Sequence, residues 1–211
     1  MEYITQGIIL QSRKIRNEDK LYNIFSYDRG LVVAVAKSVS SVKSKLSGFL
    51  MPGNVCIFML ARGSDIDRVA QVKTLNSYLA DFSDSIDYKF FSQVSEILLG
   101  FLKQDSHEFG LYNDTIVFLE DFVSHRELID KLKLQIVYFF SILKHFGFMP
   151  NNFFGIEKFG NELNGFSEND YLKNIELMLK LDIEKHDLIS IKKWLRHYFE
   201  SILEHKLNSF V

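Results

Sequence analysis

The chain has little sulfur and few breakers: one Cys (Cys56), two Pro and one Trp in 211 residues. A single Cys excludes an intramolecular disulfide and any zinc site built from four cysteines. No basic stretch followed by an apolar run opens the sequence, so no secretory signal is expected. No run of 18 or more residues is apolar enough to span a bilayer. The longest candidate, Leu134 to Phe148, is too short and carries Lys144 and His145. Phosphate-cradling glycine loops with a following Lys-Ser/Thr are missing. The six histidines, His107, His125, His145, His186, His197 and His205, are scattered, with no i, i+4 pair around an acid. Cys56 sits in an apolar run and reads as a small buried hydrophobe rather than a nucleophile. Asp65 and Asp67 have no partner base. No catalytic site, metal or cofactor is expected, and the chain reads as a non-enzyme of a reducing, cytoplasmic compartment without membrane attachment.

Apolar residues are plentiful at 47%, with 20 Phe, enough to fill a core. The net charge of -2 hides an asymmetry. Residues 1–76 carry 11 Lys+Arg against 6 Asp+Glu, a net of +5, and residues 77–211 carry 14 against 21, a net of -7. A basic N-terminal part suits a polyanionic partner, and the acidic remainder does not.

The residue pattern changes at the same place. Tyr3–Leu10, Leu21–Tyr27, Leu31–Ala36, Val55–Leu60 and Ile66–Leu75 read as strands, with turns at Asp28-Arg29-Gly30 and Ala61–Asp65. Five short strands in about 75 residues predict a small closed barrel. Val39–Leu50 interrupts them as a polar Ser/Lys loop leading into one short helix stopped by Pro52-Gly53. From Tyr78 onward the period is helical. Phe90 to Leu102 recur at i, i+3, i+4, i+7, and Asn113 or Asp114 is expected to cap a helix through Phe122. Leu128–Phe146 is apolar around most of its circumference and should be central to a bundle, with Gly147 ending it. Asn151–Ser167 reads as a long loop with room for a small hairpin. Ser167–Asp170 resembles a helix start, and a last helix is expected from about Leu188 to Leu207. The expected domains are therefore 1–77, a barrel, and 78–211, all-α with a non-helical insertion at about 148–167.

In the barrel, Arg13, Lys14, Arg16 and Lys20 cluster at the end of the first strand and in the loop after it, and Lys37, Lys43 and Lys45 follow the third strand. Long cationic side chains on loops at one rim suit a phosphate track. Tyr3, Tyr22, Phe25, Tyr27, Phe49 and Phe58 are the candidates for base stacking, some of them necessarily core.

The order of several short segments resembles the N-terminal domain of the RecO family, the bacterial recombination mediators. They are Gly7-Ile8-Ile9-Leu10, Glu18-Asp19-Lys20-Leu21, Phe25–Gly30, Ala34-Val35-Ala36-Lys37, Lys43–Gly48 and Leu50-Met51-Pro52. Leu143–Pro150, Arg196–Phe199 and His205–Ser209 resemble the C-terminal half of that family more loosely. The resemblance implies an α+β multidomain architecture, an N-terminal five-stranded OB-fold barrel followed by an all-α domain, in a nucleoid-associated bacterial protein. It implies binding and annealing of single- and double-stranded DNA, and assistance, with RecR, to RecA loading on strands coated by single-strand binding protein (SSB). The DNA-binding role carries over onto Arg13, Lys14, Arg16, Lys20, Lys37, Lys43 and Lys45. Docking of the acidic, hydrophobic SSB tail is assigned to Lys192, Lys193, Arg196 and Lys206, beside Trp194 and Phe199. Two departures stand out. Many relatives carry a four-Cys zinc site where this chain has Asn151–Ser167, so no zinc is expected. Val39-Ser40-Ser41-Val42 stands where relatives commonly have Arg, which should weaken DNA binding and flatten its salt dependence. The alternative is a protein-interaction adaptor whose barrel binds mainly RecR and has little DNA affinity.

Overall fold

The computed structural model describes residues 1–16, 18–39, 48–78, 85–153, 156–168 and 170–210. Five strands form first: β1 (Glu2–Arg16), β2 (Asp19–Ser26), β3 (Gly30–Ala36), β4 (Asn54–Ala61) and β5 (Asp67–Ser77). They close into a barrel in the order β1-β2-β3-β5-β4. This is the OB topology, and the expected fold class holds. Alternation does the sorting. Ile9, Tyr22, Ile24, Val32, Ala34, Ala36, Cys56, Phe58, Leu60 and Val69 meet inside the barrel, joined by Val39 and Leu50. The seams are unequal: β3 and β5 run parallel through two register pairs, Ala34 with Asp67 and Val35 with Arg68. The β2–β3 seam runs antiparallel from Lys20–Ala36 to Ser26–Gly30.

Residues 40–47 of the expected loop and short helix lie outside the described residues. Gly48 to Leu50 form a turn and bend rather than a helix. Gly53, at φ +84°, then donates its N–H to Ile9 O at 2.7 Å and leads the chain into β4.

The helices are α1 (Ser85–Phe101), α2 (Phe109–Ser124), α3 (Leu128–His145), α4 (Gly160–Glu168), α5 (Tyr171–Lys180) and α6 (Lys185–Leu203). Among the described residues none is long and apolar enough to cross a membrane. The chain divides into two compact units, Met1–Tyr112 and Asn113–Val211. The strand-to-helix change near residue 77 is thus not the boundary of the compact unit. α1 packs against β1. The first turn of α2 stays with the barrel because Tyr112 meets Phe25 and Tyr27 edge-on, at 5.3 and 5.4 Å between ring centres, and Phe109 meets Tyr27 at 5.0 Å.

Two expected helix positions need correction. α2 starts at Phe109, so Asn113 and Asp114 lie within it rather than capping it. The buried Leu111, Tyr112, Thr115, Phe118 and Phe122 extend one apolar stripe upstream of those polar residues, and the stripe outweighs the capping preference. The insertion at about 148–167 is not wholly non-helical: a 3-10 turn, Glu157–Phe159, runs into α4. Phe159, Leu163 and Phe166, at i, i+4 and i+7, are all buried, a helical period masked by the Asn and Gly around it.

In the second unit α3 is central, with Leu132 to Phe140 buried in succession. Phe118 stacks on Tyr138 at 4.6 Å, and Phe139 and Phe140 meet Phe199 and Phe166, each at 5.6 Å. Lys133, also buried, donates from Nζ to Leu181 O at 2.7 Å and Leu179 O at 3.3 Å, satisfying the end of α5. Asp170 caps α5 by accepting from Lys173 N at 2.8 Å. At the end of α3, Gly147 at φ +74° closes the turn: its N–H reaches Lys144 O at 3.1 Å, and Phe148 N reaches Leu143 O at 2.7 Å. Nothing would touch a Cβ there. Gly147→Ala should therefore cost only the left-handed backbone, about 1 kcal/mol, readable in a denaturant titration.

Candidate nucleic-acid interface

The register of the barrel assembles most of the predicted cations. Arg13, Lys14 and Arg16 end β1 and are exposed, and Lys20 begins β2 and is half-buried. Lys14 lies directly opposite Lys20, which lies opposite Ala36, the last residue of β3. Lys37 follows, exposed, and the next backbone N–H, of Ser38, donates to Asp19 Oδ1 at 2.8 Å. That bond ties the end of β3 to the tip of the first hairpin. Arg13, Lys14, Arg16, Lys20 and Lys37 face only Glu18 and Asp19 within this stretch, an excess of three positive charges. None of the five forms an ion pair with another described residue. Like charges opposite each other across strands repel, so the Lys14–Lys20 pair is a place where an anion would relieve a cost built into the fold. Lys43 and Lys45 lie outside the described residues.

One cation was not anticipated. Arg13 is paired with Leu21, Leu21 with Val35, and Val35 with Arg68. Arg68 is exposed. It therefore ends a four-strand row begun by Arg13, about 14 Å away across three strand spacings. Only the β3–β5 pairing reveals this, and no local pattern in the sequence encodes it.

The aromatic candidates separate by burial. Tyr22, Phe25 and Phe58 are fully buried and belong to the core. Tyr27 packs against Phe109 and Tyr112. Tyr3 carries the Arg29 guanidinium 4.3 Å above its ring. Phe49 is 45% exposed, immediately after the undescribed segment that contains Lys43 and Lys45, and its carbonyl is fixed by Asn54 Nδ2 at 3.0 Å. With Tyr27, 43% exposed beside its packed neighbours, it is one of the two candidates that keep an exposed ring.

A second cleft, of about 310 Å³, is lined by Tyr3, Arg29, Arg62, Asp65, Asp67 and Asp105 among others. Several of its charged groups are already engaged. Tyr3 Oη donates to Asp67, which also accepts from Gly63 N at 3.0 Å, and Arg29 lies 3.8 Å from Asp28 and 3.9 Å from Asp105. Burial, and then the Asp67 carboxylate, push the Tyr3 hydroxyl well above its ordinary pKa. Nor is Cys56 a nucleophile: it is fully buried and burial pushes its thiol up to about 11, against a weaker lowering by Thr74.

The four cations assigned to a partner lie in the second unit and are not alike. Lys193 and Lys206 are exposed. Lys192 is half-buried with Nζ 6.0 Å from the Phe210 ring centre. Arg196 is engaged: Nε meets Glu200 Oε1 at 3.0 Å, and its two terminal nitrogens donate to Leu207 O at 3.3 Å and Phe210 O at 3.4 Å. Glu200 in turn accepts from Leu207 N at 3.1 Å, which with Arg196 holds its carboxyl below the usual range. α6 ends at Leu203, short of the expected Leu207, because Glu204 is left-handed at φ +56°. The chain then folds back so that Leu207 is buried. Phe199 is wholly buried and unavailable to a ligand, whereas Trp194 is half-buried and stacks on Tyr198 at 5.1 Å. Arg196→Ala is expected to free residues 204–210. Limited proteolysis should then cut in that segment at a rate well above wild type, while α6 itself persists.

Residues 1–78 match the family model described as "Recombination protein O N terminal". The chain is 31% identical over 90 residues to the DNA repair protein RecO of Cutibacterium acnes, covering 43% of this chain and 36% of that one. It is 25% identical over 135 residues to the protein of the same name from Clostridium perfringens, covering 62% and 55%. It is 40% identical over 76 residues to that of Acaryochloris marina, covering 36% and 26%. The matched stretches thus span between about a quarter and just over half of these relatives. Through its first 78 residues, where barrel and basic hairpin lie, the chain is similar to the N-terminal domain of the RecO family.

Proposed function

We propose that this protein is a DNA repair and recombination mediator that binds single- and double-stranded DNA along the β1–β2 hairpin and the end of β3, and anneals complementary strands. The observation that carries this reading is the Lys14–Lys20 cross-strand pair, joined by Lys37 through the Ser38–Asp19 bond. Annealing needs no bond-making chemistry. Two phosphate backbones repel, and a row of Lys and Arg screens them. An open aromatic such as Phe49 would hold a base unpaired. The relatives' name, DNA repair protein RecO, supports the same class of role. Cooperation with RecR in loading RecA follows from the family reading. Docking of the acidic, hydrophobic SSB tail would fall to Lys192, Lys193 and Lys206 near Trp194, with Arg196 holding the surface in shape. The test is annealing of two complementary labelled oligonucleotides, followed by energy transfer. Acceleration over the spontaneous rate supports the reading, and an unchanged rate in low salt removes it.

One observation favours the adaptor reading. On the outer face of β1 and β4, Ile4 is 67% and Ile57 37% exposed, with Ile4 opposite Met59 and Gln6 opposite Ile57. An apolar sheet face of this kind suits a protein partner such as RecR. Failure of the chain to bind any labelled oligonucleotide at low salt would favour it.

A further inference from the structure

The β1–β2 ladder slips once near its tip. Lys14 pairs with Lys20 and Arg16 with Asp19, so Ile15 is the extra residue of a β-bulge. A bulge takes one residue out of the ladder and re-aims its side chain. Here that residue is apolar and β-branched. Ile15 is 44% exposed, and Arg13, Lys14 and Arg16 around it are exposed too. Four consecutive positions thus present three cations and one hydrocarbon at the end of a two-stranded ribbon. The cations suit phosphates, and the hydrocarbon suits neither phosphate nor water. In a strand held by its backbone on Arg13, Lys14 and Arg16, the groups left to meet Ile15 are the bases. Apolar side chains of this size enter base steps and unstack them when neighbouring contacts hold the backbone.

We infer that Ile15 is a wedge that enters a base step of the single strand bound on the basic hairpin and unstacks it. This rests on the DNA-binding reading above and adds to it a residue that acts on bases rather than phosphates. An unstacked base is exposed to pairing, so the wedge would also prepare a strand for its complement.

The probe is a single-stranded oligonucleotide carrying 2-aminopurine, whose emission is quenched by stacking, titrated by anisotropy and emission together. Wild type should raise the emission severalfold on binding. Ile15→Thr keeps the β-branch and removes the apolar end. It should abolish the rise and weaken binding about tenfold, within the range known for loss of one base contact. The slope of log K against log salt should not change, because no phosphate contact is lost. Ile15→Val should keep most of the emission rise. If Ile15→Thr matches wild type in emission and affinity, the wedge is overturned while the interface stands. If wild type shows no salt-sensitive binding at all, the interface reading falls and the wedge with it.

Discussion

Replacing Lys14, Lys20 and Lys37 together by Ala is expected to weaken single-stranded DNA binding about 100-fold at 0.1 M salt. Each phosphate contact contributes about 0.7 to the magnitude of the salt slope on single strands, so three contacts account for about 2. Carried from a 1 M reference to 0.1 M, a slope lower by about 2 is a loss of about two decades in affinity. The same substitutions should leave the fold slightly more stable. Lys14 and Lys20 face each other directly across the β1–β2 ladder, and removing a like-charge cross-strand pair recovers about 0.2–1 kcal/mol. Affinity and stability are therefore expected to move in opposite directions. Anisotropy across a salt series gives the slope, and thermal unfolding gives the stability. An unchanged slope would show that phosphates bind elsewhere. A fall in both quantities would show that the variant lost binding by losing structure.

Gly30→Ala should destabilise the barrel unit by about 3 kcal/mol. Gly30 adopts φ +63° in the turn between β2 and β3, which costs a side-chain-bearing residue about 1–2 kcal/mol. Space is lacking as well: a Cβ there would lie 2.5 Å from Lys103 O and 2.8 Å from Ser106 O. These are backbone atoms, and they can yield only if the segment after α1 moves. Moving it endangers the 2.9 Å hydrogen bond from Leu31 N to Lys103 O, whose loss adds about 1 kcal/mol. Gly147→Ala shares the left-handed backbone but has open space around it, so the difference between the two variants isolates the steric part. Equal losses in a denaturant titration would contradict the close approach of residues 103–106 to this turn.

These two glycines also mark how far the sequence can be read. The Asp28-Arg29-Gly30 turn was legible because a hairpin needs a positive φ there. The crowding behind Gly30 was not, since residue 103 comes 73 positions later and reaches it through tertiary packing alone. The five strands were legible because alternation is a local property, and α3 because its apolar residues cover most of its surface. α4 was not, because Asn and Gly obscured three buried residues at helical spacing. The cationic cluster was visible in part. Lys14 and Lys20 are neighbours in one hairpin, whereas Arg68 reaches the adjacent row, that of Arg13, only through the register of three other strands. The engagement of Arg196 was legible only in part: Glu200 lies one turn further on, but the carbonyls it also meets are 11 and 14 residues away.

The short parallel seam between β3 and β5 has a consequence for how the barrel opens. Its two register pairs are the whole backbone ladder between β3 and β5 among the described residues, whereas longer antiparallel ladders hold each of the other seams. Local opening follows the least costly line of separation. The barrel should breathe there first, parting Val35 from Arg68 while the rest of the ladder stays closed. Amide hydrogens of residues 34–35 and 67–68 that bond across this seam would then exchange faster than those that bond β3 to β2. Such breathing would also change the distance between the two ends of the cationic row, so a bound strand that engaged both Arg13 and Arg68 would act as a clasp across the seam and slow that exchange.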